Sequence, residues 1–248
     1  MLNYFKSYDS FILEGQLRGT SNWKEEDFLA HNEIKWEAIT KIQKIFDDLG
    51  KPFWLDYGTL LGLYRDGKII LNDSDIDVSC FATDIDIDLL NKLKDGGFLN
   101  GASYKEAVKQ YTEDSYFTPT KIRTVYKPGG KVAKHKGFPL KYDLCTYYPY
   151  KDFHFYISSD DAFRVKTDLL KFKKMKINGV SFSIPKDTDK YLECLYGKGW
   201  KTPDDSFGPK YYTEKKPYHI WYKSSVKGLE KPVVYKWNNV KKEHKILD

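Results

Sequence analysis

The chain has 248 residues, 41% of them hydrophobic and 17% aromatic, which excludes a disordered polymer and is enough to bury one large core or two small ones. A formal net charge of +6 suits polyanionic partners, whether nucleotides, nucleic acid or an anionic membrane surface, without choosing among them. Three widely separated cysteines, Cys80, Cys145 and Cys194, exclude a zinc or disulfide framework and suit a reducing compartment. With no signal-peptide core and no apolar run of roughly 18 residues, a cytoplasmic protein is expected, with at most peripheral contact at the inner face of a membrane.

Residues 1–30 are mixed and aromatic, with Tyr4, Phe5, Tyr8, Phe11 and Trp23, and read as an extension packed on the body. Asn32 is the expected cap of a helix over 33–49, where Ile34, Ala38, Ile42, Ile45, Phe46 and Leu49 recur at three and four residues and Gly50 and Pro52 end the pattern. A strand at 53–57 runs into Gly58-Thr59, a short helix starts at 60–64, and Asp66-Gly67 turns the chain. A second strand then carries Asp75 and Asp77. The acids at 84, 86 and 88 belong to a helix start, with Thr83 or Asp84 as cap and Ile85, Leu89, Leu90 and Leu93 inward. Neither Asp73 nor Asp84 opens a calcium loop, because the sixth position is Val78 or Leu89 where glycine is required.

The stretch 97–118 yields no clear pattern. Strands follow at 121–126 and 140–146, separated by a basic loop, with a further strand at 153–157. Asn178-Gly179 predicts a hairpin, and a helix is expected over 188–196. The tail is basic and aromatic, with Trp221, Tyr222, Tyr235 and Trp237. The expected partition is an extension at 1–30, a main domain at 31–210 and a C-terminal addition at 211–248.

Asp75 and Asp77 are two apart, so on a strand both carboxylates leave one face, and a divalent cation relieves their repulsion. Asp143 interrupts an otherwise apolar strand, which is costly unless it has a task or a partner. Together the three acids can converge on one or two Mg²⁺ ions, or Mn²⁺, an arrangement suited to in-line displacement at phosphorus. Gly58 and Thr59 offer a backbone N–H and a hydroxyl to a phosphate oxygen. Arg65, Lys121, Arg123 and Lys141 can neutralise the rest of a diphosphate. The expected fold is α+β: a mixed central sheet flanked by helices, here placed on one side, with Asp75, Asp77 and Asp143 on adjacent strands.

The run Phe53-Trp54-Leu55-Asp56-Tyr57-Gly58-Thr59-Leu60-Leu61-Gly62, then Arg65, then Asp73-Ser74-Asp75-Ile76-Asp77, resembles the LicD family, which includes the fukutin-related proteins, within the polymerase-beta-like nucleotidyltransferases. Asp143 matches the family's downstream strand aspartate. Gly179, Pro185, Tyr191-Leu192, Tyr196-Gly197, Trp200 and Pro203 match its closing signature. The resemblance covers roughly 34–203. It departs where the family has Trp-Asp-Asp-Asp and this chain has Asn72-Asp73-Ser74-Asp75, and where Asp66-Gly67 follows the arginine.

The resemblance implies a nucleotidyltransferase-like fold and transfer of a phospho-alcohol (phosphocholine, ribitol phosphate or glycerol phosphate) from a CDP-linked donor to a glycan or glycolipid hydroxyl. Asp75, Asp77 and Asp143 would hold metal, and Asp143 or Asp75 would activate the acceptor. Three other readings stay open. A glycosyltransferase also uses Asp-X-Asp. A nucleotide-adding enzyme shares the constellation, with a nucleic-acid acceptor ranked below a glycan. An inactive glycan- or nucleotide-binding scaffold would have no use for all three carboxylates.

Overall fold

The computed structural model describes residues 23–71, 73, 75–117, 122–158, 161–203, 221–222, 225–226 and 234–247. The N-terminal aromatics from Tyr4 to Phe11 lie outside this set. Helix α1 spans Glu25–Asp48, so it begins before the expected residue 33 and Asn32 is not its cap. The start is instead closed by Asp27, whose carboxylate accepts from the Lys24 backbone N–H at 3.0 Å. Glu25, Glu26 and Asp27 set negative charge at the positive end of the helix. The first turns escape a hydrophobic pattern because part of their buried face is polar: Asp27, His31 and Lys35 share one stripe with Ile39 and Ile42.

Strand β1 (Trp54–Leu55) passes through Asp56 into helix α2 (Tyr57–Arg65), and β2 (Asp75–Phe81) follows. Helix α3 (Ile87–Gly96) is capped by Asp86, whose Oδ1 accepts from the Leu89 N–H at 3.0 Å; the cap lies two to three residues later than expected. Helix α4 (Ala102–Thr112) fills the stretch without a legible pattern, because it buries only Ala107 and Tyr111. Then come β3 (Ile122–Val125), the small hairpin β4 (Lys134–His135) and β5 (Phe138–Pro139), and the long β6 (Lys141–Tyr150). Strands β7 (Phe153–Ser158) and β8 (Asp161–Lys166) continue antiparallel. Strands β9 (Phe172–Ile177) and β10 (Val180–Pro185) form the expected hairpin, with Asn178 and Gly179 both at positive φ, 46° and 83°. Helix α5 (Thr188–Tyr196) falls where the sequence places it.

The central sheet runs β1-β2-β6-β7-β8, with β3 also paired to β6. Only β2 and β6 among these pairs are parallel, and the crossover between them carries α3 and α4. Strand β6 is buried continuously from Tyr142 to Tyr148, the mark of a strand covered on both faces. Tyr148 meets the Tyr111 phenol of α4 at 2.6 Å, while Tyr147, on the opposite face, meets Tyr191 of α5 at 3.2 Å. Helices therefore flank the sheet on both sides, not one, because β6 has large buried side chains at both parities.

Strands β11 (Trp221–Tyr222), β12 (Ser225–Val226), β13 (Val234–Asn238) and β14 (Glu243–Leu247) form a second sheet. From it Tyr235 and Trp237 join Tyr148, Tyr150, Phe153 and Phe155 in a second aromatic cluster. Phe117 and Trp237 exchange backbone hydrogen bonds at 2.9 and 3.0 Å.

Candidate active site

Parallel pairing of β2 and β6 sets Asp77 opposite Asp143 and Asp75 opposite Lys141. Side chains alternate along a strand, so Asp75, Asp77 and Ser79 share a face with Lys141, Asp143, Cys145 and Tyr147. Asp143 is 1% exposed, whereas Asp75 and Asp77 are half-buried and Lys141 is exposed. Across β6, antiparallel β3 places the backbone of Arg123 in register with Asp143. Lys121 lies outside the described residues, and Arg123 is described by its backbone alone.

The turn from β1 into α2 folds over this acid face. Thr59 Oγ1 accepts from the Asp77 backbone N–H at 2.9 Å, and Asp56 N–H donates to Asp77 O at 3.3 Å. Thr59 is thereby a strap on β2 as well as a hydroxyl near the acids. A Cβ on Gly58 would lie 2.6 Å from Asp73 Oδ2 and 3.7 Å from Asp77 Oδ2. A side chain here would push the Asp73 carboxylate away from the start of α2, where the helix presents its positive end, while Asp77 sits at ordinary contact distance. Tyr57 makes the turn at φ 41°, a strained conformation for a residue with a large side chain.

Asp56 anchors the floor. It is fully buried and accepts from Tyr57 N (2.9 Å), Ser79 Oγ (2.6 Å), the Tyr191 phenol (2.8 Å) and the Tyr147 phenol (3.1 Å). Burial pushes its carboxyl up, opposed by these hydrogen bonds. Burial also holds the Tyr147 and Tyr191 phenols far above their ordinary value, so they remain donors. The two motifs separated in sequence, the Gly-Thr run and the one containing Tyr191, therefore meet at one carboxylate.

Lys35 completes the surroundings of the acids. Its side chain is wholly buried, and Nζ donates to the Asp73 backbone oxygen. Burial lowers its pKa, while the charges of Asp73, Asp75 and Asp77 act in the opposite sense. Asn32, one turn earlier, donates to Ile69 O at 3.4 Å, so α1 grips the loop before β2 at two carbonyls. Sequence reasoning missed Lys35, Asp56 and the approach of Asp73 to Gly58. The signal for Lys35 was present: it stands on the apolar stripe of Ile39, Ile42 and Phe46, where a lysine has to be explained.

Arg65 lies at the far end of α2, about 10 Å along the axis from Gly58. Its guanidinium is bidentate to Asp66, at 2.9 and 2.7 Å, and reaches Trp200 O at 3.5 Å. The expected phosphate contacts thus divide between Gly58, Thr59 and Lys141 at the acids and Arg65 at the other end of the helix.

Carboxylate oxygens are the donors that Mg²⁺ or Mn²⁺ prefers, and Asp73 and Asp77 already face one point beside Gly58. Among the described residues no group of three or more acids, histidines or cysteines is gathered into a ready-made metal shell. Mg²⁺ commonly takes one or two carboxylates and completes its shell with water and phosphate oxygens, so this donor set fits it.

A mixed α/β domain with paired aspartates beside a Gly-Thr helix start has the architecture of a nucleotidyltransferase. The family model described as LicD/FKTN/FKRP, nucleotidyltransferase domain, matches residues 50–187, and the chain belongs to this family. The match includes Gly58, Thr59, Asp75, Asp77 and Asp143 and stops before Tyr191 and Trp200. The chain is similar to the ribitol-5-phosphate transferase FKTN of Macaca fascicularis, 27% identical over 180 residues, covering 71% of this chain and 35% of the relative. The human protein of that name is 27% identical over 172 residues, 67% of this chain and 33% of the relative. The chain thus spans about a third of the length of the curated relatives it matches. No described helix is long and apolar enough to cross a membrane.

Proposed function

We propose that the protein transfers a phospho-alcohol, such as phosphocholine, ribitol phosphate or glycerol phosphate, from a CDP-linked donor to a hydroxyl of a glycan or glycolipid, with CMP leaving. The observation that carries this reading is the register that sets Asp143 beside Asp77, with Asp75 on the same face. The name ribitol-5-phosphate transferase, borne by relatives, supports a phospho-alcohol as the transferred group.

Asp75, Asp77 and Asp143, with Asp73 beside Asp77 at Gly58, are the residues that would hold Mg²⁺ or Mn²⁺, which when bound neutralises diphosphate charge and acidifies an attacking oxygen. The chain's own residues do the rest. The open start of α2 at Gly58 admits a phosphate oxygen to backbone N–H groups. Lys141, exposed beside Asp75, offsets the charge of the diphosphate. Asp143 takes the proton from the acceptor hydroxyl, its buried position keeping that carboxylate away from bulk water.

The test is a panel of CDP-choline, CDP-ribitol and CDP-glycerol with Mg²⁺ and a glycan acceptor, read as CMP release. Acceptor-dependent CMP from one of these donors is the expected result. Release of pyrophosphate from a nucleoside triphosphate, with no CMP from any donor, would replace this reading with nucleotide addition.

A further inference from the structure

Helix α1 lies outside the matched family segment, which begins at residue 50, yet it sends a cation into the acid site. A lysine with no exposed surface is costly unless the surrounding charge compensates it. Here burial is the larger effect and lowers the pKa of Lys35, while Asp73, Asp75 and Asp77 offset it in part. Its ammonium also holds the Asp73 carbonyl, and Asn32 holds Ile69 from the same helix, so the loop that delivers the acids is fixed from α1. The carboxylates of Asp73 and Asp77, both turned towards Gly58, would otherwise repel one another whenever no ion lies between them.

We propose that Lys35 is the resident counter-charge of the acid site, a positioning residue that holds the aspartates together in the metal-free protein and weakens the hold on the divalent ion so that it can exchange. The inference rests on the metal-binding reading above. A single charge in this place stabilises the empty site and repels the incoming ion, so removing it must act in opposite directions on the two states.

The experiment compares the wild type with Lys35→Met and Lys35→Arg, using melting temperature with and without Mn²⁺ and Mn²⁺ binding by calorimetry. Lys35→Met should melt lower than the wild type without metal, recover most of the difference in saturating Mn²⁺, and bind Mn²⁺ roughly tenfold more tightly. Lys35→Arg, which keeps the charge, should respond to Mn²⁺ as the wild type does. Equal Mn²⁺ responses in the wild type and Lys35→Met would overturn the inference while leaving the metal reading intact. So would a Lys35→Met protein that fails to fold even in Mn²⁺, since the need would then be for shape rather than charge. Lys35→Arg behaving like Lys35→Met would have the same meaning. No Mn²⁺ response in the wild type would remove the metal reading and this inference together.

Discussion

On one face of the β2–β6 pair, Ile76, Val78, Tyr142 and Leu144 are buried in a core shared with Ile39, Leu89 and Leu93. On the other, alternating with them along the same strands, stand Asp75, Asp77 and Asp143, above a floor of Asp56, Ser79 and Tyr147. The first face is held by volume and dispersion, and neighbouring apolar residues can partly stand in for one another. The second is held by fixed hydrogen bonds and opposed charges, and each group has a single place. Substitutions on the two faces should therefore separate stability from activity.

The largest loss of stability is expected from Leu144→Ala, which opens a cavity in the apolar face and should cost about 2–5 kcal/mol by denaturant unfolding. Turnover per folded molecule should survive. Asp77→Asn has the opposite profile: transfer should fall about 10²–10³-fold while the melting temperature changes little, since the loss of one repelling charge is offset by the loss of an acid that favours charged Lys35. A parallel fall in melting temperature would mean that Asp77 belongs to the scaffold.

Next comes pH. His31 on α1 is buried, and desolvation, helped by the charges of Lys35 and His135, lowers its pKa to about 4 from 6.5. Among the described residues neither ring nitrogen has a hydrogen-bond partner. Between those two values the unfolded chain binds more protons than the folded one, so stability rises with pH there and is lost as pH falls from 6.5 toward about 4. The loss should be on the order of 1–3 kcal/mol, and urea unfolding of His31→Phe at pH 5 and 7 should show a smaller difference than the wild type. Smallest is Arg65→Ala. Although its guanidinium is held by Asp66 and Trp200 O, the substitution should raise the donor KM severalfold and lower the melting temperature only slightly, because a partly exposed ion pair contributes little. If lost activity simply tracks lost stability, Arg65 is a structural tie between α2 and the segment around Trp200.

The apolar face was the more legible in sequence. Alternation placed β3, an apolar run interrupted by Asp143 placed β6, the Asn178-Gly179 turn placed the β9–β10 hairpin, and three- and four-residue spacing placed α5 and α1 from its third turn onward. The acid face could be read only where a residue broke a pattern visibly, as Asp143 does inside a run of apolar residues. Lys35 and His31 break the pattern of α1 just as strongly, but among so many exposed lysines they read as the edge of the helix and hid its first turns. Asp56 could not be assigned because its donors come from β2, β6 and α5, and no local spacing links Ser79, Tyr147 and Tyr191. Helix α4 was illegible for a different reason: with two buried residues it has almost no stripe to detect.

The most direct test of the central claim follows the phosphorus. A CDP-alcohol labelled at the phosphorus next to the alcohol is incubated with the protein, Mg²⁺ and acceptor, and the products are separated. The account predicts label and alcohol together on the acceptor, with unlabelled CMP released and the transfer abolished by chelation of the metal. Cytidine monophosphate joined to the acceptor, with the labelled phospho-alcohol left free, would contradict it.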